Sequence, residues 1–147
     1  MKNKKTIVVC SSASFYAQVV EVEKQIKTLG FNVKVPLTVH KMKKSGDFNV
    51  ATYKTWMERP TDYTRKAYLT RKHFSEIQKG DIVLVLNYKK NGKSGYIGGA
   101  VLMEMAVAFY LKKPIFILNN IDKSSRFKEE IYGMQPIILN GDMSKIK

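Results

Sequence analysis

Short runs of β-branched apolar residues alternate along the chain with stretches whose apolar side chains recur every three or four positions. Thr6-Ile7-Val8-Val9-Cys10 is the first run and reads as a buried strand. The polar turn Ser11-Ser12-Ala13-Ser14 comes next. From Phe15 to Leu29 the apolar positions Val19, Val22, Ile26 and Leu29 keep helical spacing, and Gly30 provides a C-terminal cap. Phe31 to Val35 alternates and predicts a second strand, stopped by Pro36. These pieces form a βαβ unit, for which a right-handed crossover is expected.

The stretch from Leu37 to Tyr63 has no clear period and is expected to be a long loop, or a loop with a short helix. Its length and aromatic content suggest a lid over a site. Helical spacing resumes over Thr64 to Gln78, with Tyr68, Phe74 and Ile77 available for packing. Asp81-Ile82-Val83-Leu84-Val85-Leu86-Asn87 is the clearest strand, and its continuous apolar run suits a strand covered on both faces. A polar loop, Tyr88 to Gly95, leads through Tyr96-Ile97-Gly98-Gly99 to an apolar helix over Ala100 to Leu111. Ile115 to Leu118 predicts a fourth strand, Arg126 to Tyr132 a short helix, and Pro136 to Leu139 a fifth strand. The alternation implies one α/β domain over residues 1–147: a flavodoxin- or Rossmann-like doubly wound sheet of about five mainly parallel strands flanked by helices. In such a fold the active site is expected at the C-terminal ends of the strands.

Charge changes the picture of what this domain meets. The 26 basic and 12 acidic residues leave a net charge of +14, which favours anionic partners. The lysines are dispersed, and no helix-turn-helix, zinc-finger or RNA-binding aromatic motif is present, so nucleic acid is a weaker alternative to a small anionic ligand. The longest apolar run, Ala100 to Leu111, is too short to span a membrane and is broken by Glu104. The basic N-terminus, Met1 to Lys5, leads into a strand-like run and then a polar turn, so no signal peptide is read there. The single cysteine, Cys10, suits a reducing, cytoplasmic compartment and excludes a cysteine-rich zinc site. Cys10 reads as a small buried hydrophobe. His40 and His73 lack metal-ligand spacing and read as surface or interface histidines, so no metal is expected. Trp56 reads as a packing residue before a base-stacking one.

Glu104 carries the most information. It is the only charged residue between Ala100 and Leu111, and its helical neighbours Ala100, Val101, Val107 and Ala108 offer it no partner. A carboxylate there lines a pocket or pairs with a distant group, and pocket carboxylates are candidate nucleophiles or bases. Before it, Gly95, Gly98 and Gly99 allow close approach of a ligand to a helix N-terminus, or serve the turn alone. Ser11, Ser12 and Ser14 stand between strand one and helix one, where a phosphate or sugar hydroxyl is held in such folds, or where a serine caps the helix. Asn87 ends the central strand, and its side chain is expected to reach the same crevice. Tyr96 lies close to Glu104 in sequence.

The block Asp81-Ile82-Val83-Leu84-Val85, the glycine-containing loop, Met103-Glu104-Met105-Ala106, Ala108 and Lys113-Pro114-Ile115 resembles the nucleoside 2-deoxyribosyltransferase family and its nucleotide N-hydrolase relatives. The first βα unit, from Ile7 to Pro36, is also similar, and the likeness covers about two thirds of the chain by motif order. The resemblance implies Glu104 as nucleophile at the sugar C1′, the serine turn at the 5′ end of the ligand, no metal or organic cofactor, and a homo-oligomer, a dimer first. The loop here, Lys89-Lys90-Asn91-Gly92-Lys93-Ser94, has no acid where the transferases carry an aspartate, and Met105 stands where glycine usually comes after the glutamate. A basic loop favours a phosphorylated ligand, and with it nucleotide N-glycoside cleavage over base exchange. A non-catalytic nucleotide sensor on the same fold is the alternative, favoured if Glu104 is exposed or ion-paired at an interface.

Overall fold

The computed structural model describes residues 3–147, so the first two residues of the basic N-terminal run lie outside the described residues. Five strands form one sheet: β1 (Thr6–Ser11), β2 (Asn32–Lys34), β3 (Ile82–Leu86), β4 (Ile115–Ile117) and β5 (Ile137–Ile138). Their spatial order is β2-β1-β3-β4-β5, and every pairing is parallel. The expected doubly wound α/β architecture is therefore the one observed. The chain order reverses between β1 and β3, which opens a crevice at their carboxyl ends.

Among the described residues six α-helices accompany the sheet: α1 (Tyr16–Thr28), α2 (Leu37–Ser45), α3 (Val50–Tyr53), α4 (Tyr63–Lys79), α5 (Gly99–Tyr110) and α6 (Lys128–Gly133). Alternation along β1 and β3 assigns the two cores. Ile7, Val9, Ile82, Leu84 and Leu86 face Val19, Val22 and Ile26 of α1. Val8, Cys10, Val83 and Val85 face Ile77 of α4, Val101, Met105 and Ala108 of α5, and Ile131 of α6. Both faces of β3 are covered, as its unbroken apolar run requires. No helix of the described residues is long and apolar enough to cross a membrane.

The stretch from Leu37 to Tyr63 takes the second of its two expected forms, a loop with short helix, and goes further, since α2 and α3 make about half of it helical. In α2 only Val39 and Met42 are buried, one helical turn apart, which is too short an apolar pattern to give a period. Local polar bonds hold α3: Asp47 accepts from the Asn49 amide at 2.8 Å and the Thr52 hydroxyl at 2.9 Å, and Asn49 caps the helix by accepting from the Ala51 amide at 3.1 Å. Arg65 of α4 donates to the Tyr53 carbonyl, tying the segment to α4, and Thr55 donates to Asp62 at 2.6 Å within the segment. Trp56 is buried, as expected of a packing residue, and the Lys66 ammonium lies 5.3 Å from its ring centre.

Candidate active site

A cavity of about 380 Å³ opens at the carboxyl ends of β1 and β2 and beneath the N-terminal half of α5. That is the lower part of the range for small-molecule sites. Each wall comes from a different stretch of sequence. The turn after β1 contributes Ser11, Ser12 and Ala13, and the loop and helix start after β3 contribute Lys90, Tyr96, Gly98, Gly99 and Glu104. The segment between β2 and α4 contributes His40, Tyr53, Lys54 and Trp56, so it forms one wall of the site. One stripe of α4 supplies Lys66, Thr70 and His73, spaced four and three residues apart.

Glu104 projects from the first half of α5, and its side chain is only 14% exposed. Its Oε2 is buried and accepts no hydrogen bond. Burial pushes its carboxyl up to about 8, against the opposing pull of the Lys66 ammonium and the Cys10 thiol. The imidazole Nε2 of His73 lies 3.4 Å from Oε2. Burial drives His73 down to about 4, although the Val9 backbone and Glu76 both favour its cation. The proximity is that of an ion pair, but the two shifts are those of a neutral acid beside a neutral imidazole. Burial disfavours both charges by more than the contact restores, so the pair rests as a neutral acid beside a neutral imidazole.

The expectation of a surface or interface histidine at position 73 is overturned. His73 is 8% exposed, and its Nε2 stands 3.5 Å from the Cys10 Sγ. Cys10 is fully buried, as expected, and burial followed by the Glu104 charge raises its thiol well above the usual range. Cys10, His73 and Glu104 thus form one cluster behind the cavity, drawn from β1, α4 and α5. Tyr16 also borders the cavity, and burial, Glu104 and Cys10 push its phenol up.

At the other side of the cavity Lys90 donates to the Ser12 hydroxyl at 3.1 Å, and its ammonium sits 4.9 Å from the ring centre of Tyr96. Burial and the nearby Lys54 lower the Lys90 ammonium, so two cations share this end of the site. Burial likewise lowers Lys66, with Glu104 opposing. The expected serine turn divides its roles. The Ser12 hydroxyl caps the helical turn after β1 by accepting from the Ser14 amide at 3.4 Å, and it also lines the cavity. Ser11 is buried and lines the cavity, whereas Ser14 is exposed and does not.

Asn87 corrects the reading that put its side chain in the crevice. It is fully buried, donates to the Asn119 carbonyl at 2.8 Å and accepts from the Asn119 amide at 2.9 Å. It clamps the ends of β3 and β4 together and does not line the cavity. The glycines also separate. Gly95 has φ +70°, and a Cβ there would meet the Asn120 carbonyl oxygen at 1.9 Å, so it serves the loop. A Cβ on Gly98 would meet the Tyr96 hydroxyl at 2.9 Å, so its absence seats that ring against the start of α5. Gly99 lines the cavity with open space where a side chain would be.

Sequence reasoning missed Cys10, Lys66, His73 and Lys54 as site residues. Only the α4 stripe carried a signal: Lys66, Thr70 and His73 share one helical face that continues into the core at Ile77. No protein-family model and no curated protein matches the chain. Among solved structures, the chain is similar to a 2-deoxyribosyltransferase from Bacillus psychrosaccharolyticus, with 15% identity, a TM-score of 0.48, and 76% of this chain and 70% of that one covered.

Proposed function

We propose that this cavity cleaves the N-glycosidic bond of a nucleotide or nucleoside, with Glu104 as the nucleophile. The observation that carries the reading is a buried carboxylate whose Oε2 has no hydrogen-bond partner, on the wall of a cavity at the carboxyl edge of the sheet. An exposed glutamate would favour the non-catalytic sensor; Glu104 is instead buried on the cavity wall beside His73. The motif order from Asp81 to Leu118, with its likeness to deoxyribosyltransferases, supports the same chemistry.

In this reading the Glu104 carboxylate attacks C1′ as the bond to the base breaks. The bonding electrons leave with the base, which takes up the proton that Glu104 gives up on ionising. Positive charge building at C1′ stabilises the glutamate as the anion, as does the Lys66 ammonium. The resulting glycosyl ester is opened at C1′ by water or by a second base, which restores Glu104 and retains configuration. Ser12, Lys90 and Lys54 form the polar, cationic end of the cavity and would take a 5′-phosphate, so hydrolysis of a nucleoside monophosphate is favoured over base exchange between nucleosides.

The test is chromatographic detection of free base released from a panel of nucleoside monophosphates and nucleosides, with Glu104→Gln beside the parent. Release by the parent that falls at least about 1000-fold in the variant supports the assignment, the scale on which loss of a nucleophile is felt. Nucleotide binding with no base released from any substrate would return the site to the sensor reading.

A further inference from the structure

We propose that Cys10, His73 and Glu104 form a binding site for a thiophilic divalent cation, with zinc(II) as the representative ion. The ligand atoms, Sγ, Nε2 and a carboxylate oxygen, all lie within 4.8 Å of one another. Tetrahedral zinc with ordinary bond lengths needs N···O edges of about 3.4 Å and S···N edges of about 3.6 Å. The measured separations are 3.4 Å from His73 Nε2 to Glu104 Oε2 and 3.5 Å from His73 Nε2 to Cys10 Sγ. Two of the three edges therefore match a tetrahedral ion, and the third, from Sγ to the carboxylate, lies within 4.8 Å.

Two further observations point to an ion. Glu104 Oε2 is buried with no hydrogen-bond partner, and so has a vacant acceptor aimed at the cluster. Thiolate and carboxylate together would cancel the charge of a divalent ion, giving a neutral assembly suited to burial. Three protein ligands leave the fourth position free, and Glu104 and His73 both border the cavity, so that position opens on the ligand space.

The site shares its carboxylate with the proposed nucleophile but does not depend on that chemistry. A bound ion withdraws Glu104 from attack at a sugar, so metal occupancy and base release exclude each other. Binding is read with cobalt(II) added to the metal-free protein. The expected result is one cobalt per chain, with a thiolate-to-cobalt charge-transfer band that zinc abolishes by displacement. Cys10→Ser removes the band. His73→Gln and Glu104→Gln keep a weakened band, with affinity down by more than the roughly 10–100-fold that outer contacts are worth. Lys66→Ala tightens binding several-fold, because it removes a cation facing Glu104. Far-ultraviolet circular dichroism establishes that each variant is folded, and Glu104→Gln serves if Cys10→Ser is not. No charge-transfer band in the parent, or cobalt affinity unchanged in Cys10→Ser, overturns the site. The spectrum is readable even if no substrate is ever cleaved, so the two proposals fail separately.

Discussion

Replacing Asn87 by alanine separates a structural strut from a ligand contact. The side chain is fully buried and makes two bonds with the Asn119 backbone, at 2.8 and 2.9 Å. Alanine leaves the Asn119 amide and carbonyl without these partners. A buried unsatisfied group costs about 1–3 kcal/mol, and because the Asn119 end is only part-buried and admits water, the total is about 3 kcal/mol. With a urea slope of about 2 kcal/mol per molar, the unfolding midpoint falls by about 1.5 M. Asn87→Asp should fall further at neutral pH, since it keeps one acceptor, loses the donor and sets a buried charge against the Asn119 carbonyl. Urea titration monitored by circular dichroism reads the midpoints. Base release by the alanine variant, assayed where it remains folded, should stay within about twofold of the parent in kcat/KM. An unchanged midpoint together with a raised KM would refute the strut and return Asn87 to the binding site.

The remaining predictions concern the cavity and its loop. Lys90→Ala should lower kcat/KM for nucleoside monophosphates by about tenfold, the size of one partly exposed charged contact, and leave nucleosides nearly unaffected; steady-state assays on matched pairs decide this. Glu104→Gln should abolish base release while shifting the thermal midpoint by only a few degrees, since the amide is isosteric with the neutral acid. Gly95→Ala should destabilise the fold by at least about 2 kcal/mol, from a positive φ and a collision with backbone that has little room to yield; a melting curve unchanged from the parent would count against the loop geometry.

The sheet is readable because its strands are short β-branched runs or, in β2, an alternating stretch, and in β3 covering by two helix layers removes any polar alternation. The apolar pattern overextends β2 by one residue at each end, since Phe31 and Val35 are apolar and pack without pairing. The segment around α2 and α3 is not readable, because side-chain bonds such as Asp47 to Thr52 hold it rather than a repeating apolar face. Glu104 stands out because it interrupts an apolar helix. Its companions do not, because Cys10 and His73 lie 63 residues apart and only the packing of α4 on β1 joins them. Asn87 misleads for a related reason: a polar residue at a strand end reads the same whether it faces a ligand or the neighbouring strand.

The shape of the sheet has a further consequence. Its outermost members are among its shortest, with three residues in β2 and two in β5. They offer few free amide and carbonyl groups on which another chain's strand could add, so growth by edge pairing is poorly templated. Contact between copies would then fall to helix surfaces. The far end of α5 displays Phe109 and Tyr110, the latter 84% exposed. The helix whose first half walls the cavity is thus also the one whose last turn is left bare, so any copy that docked there would sit on the same rigid element as Glu104.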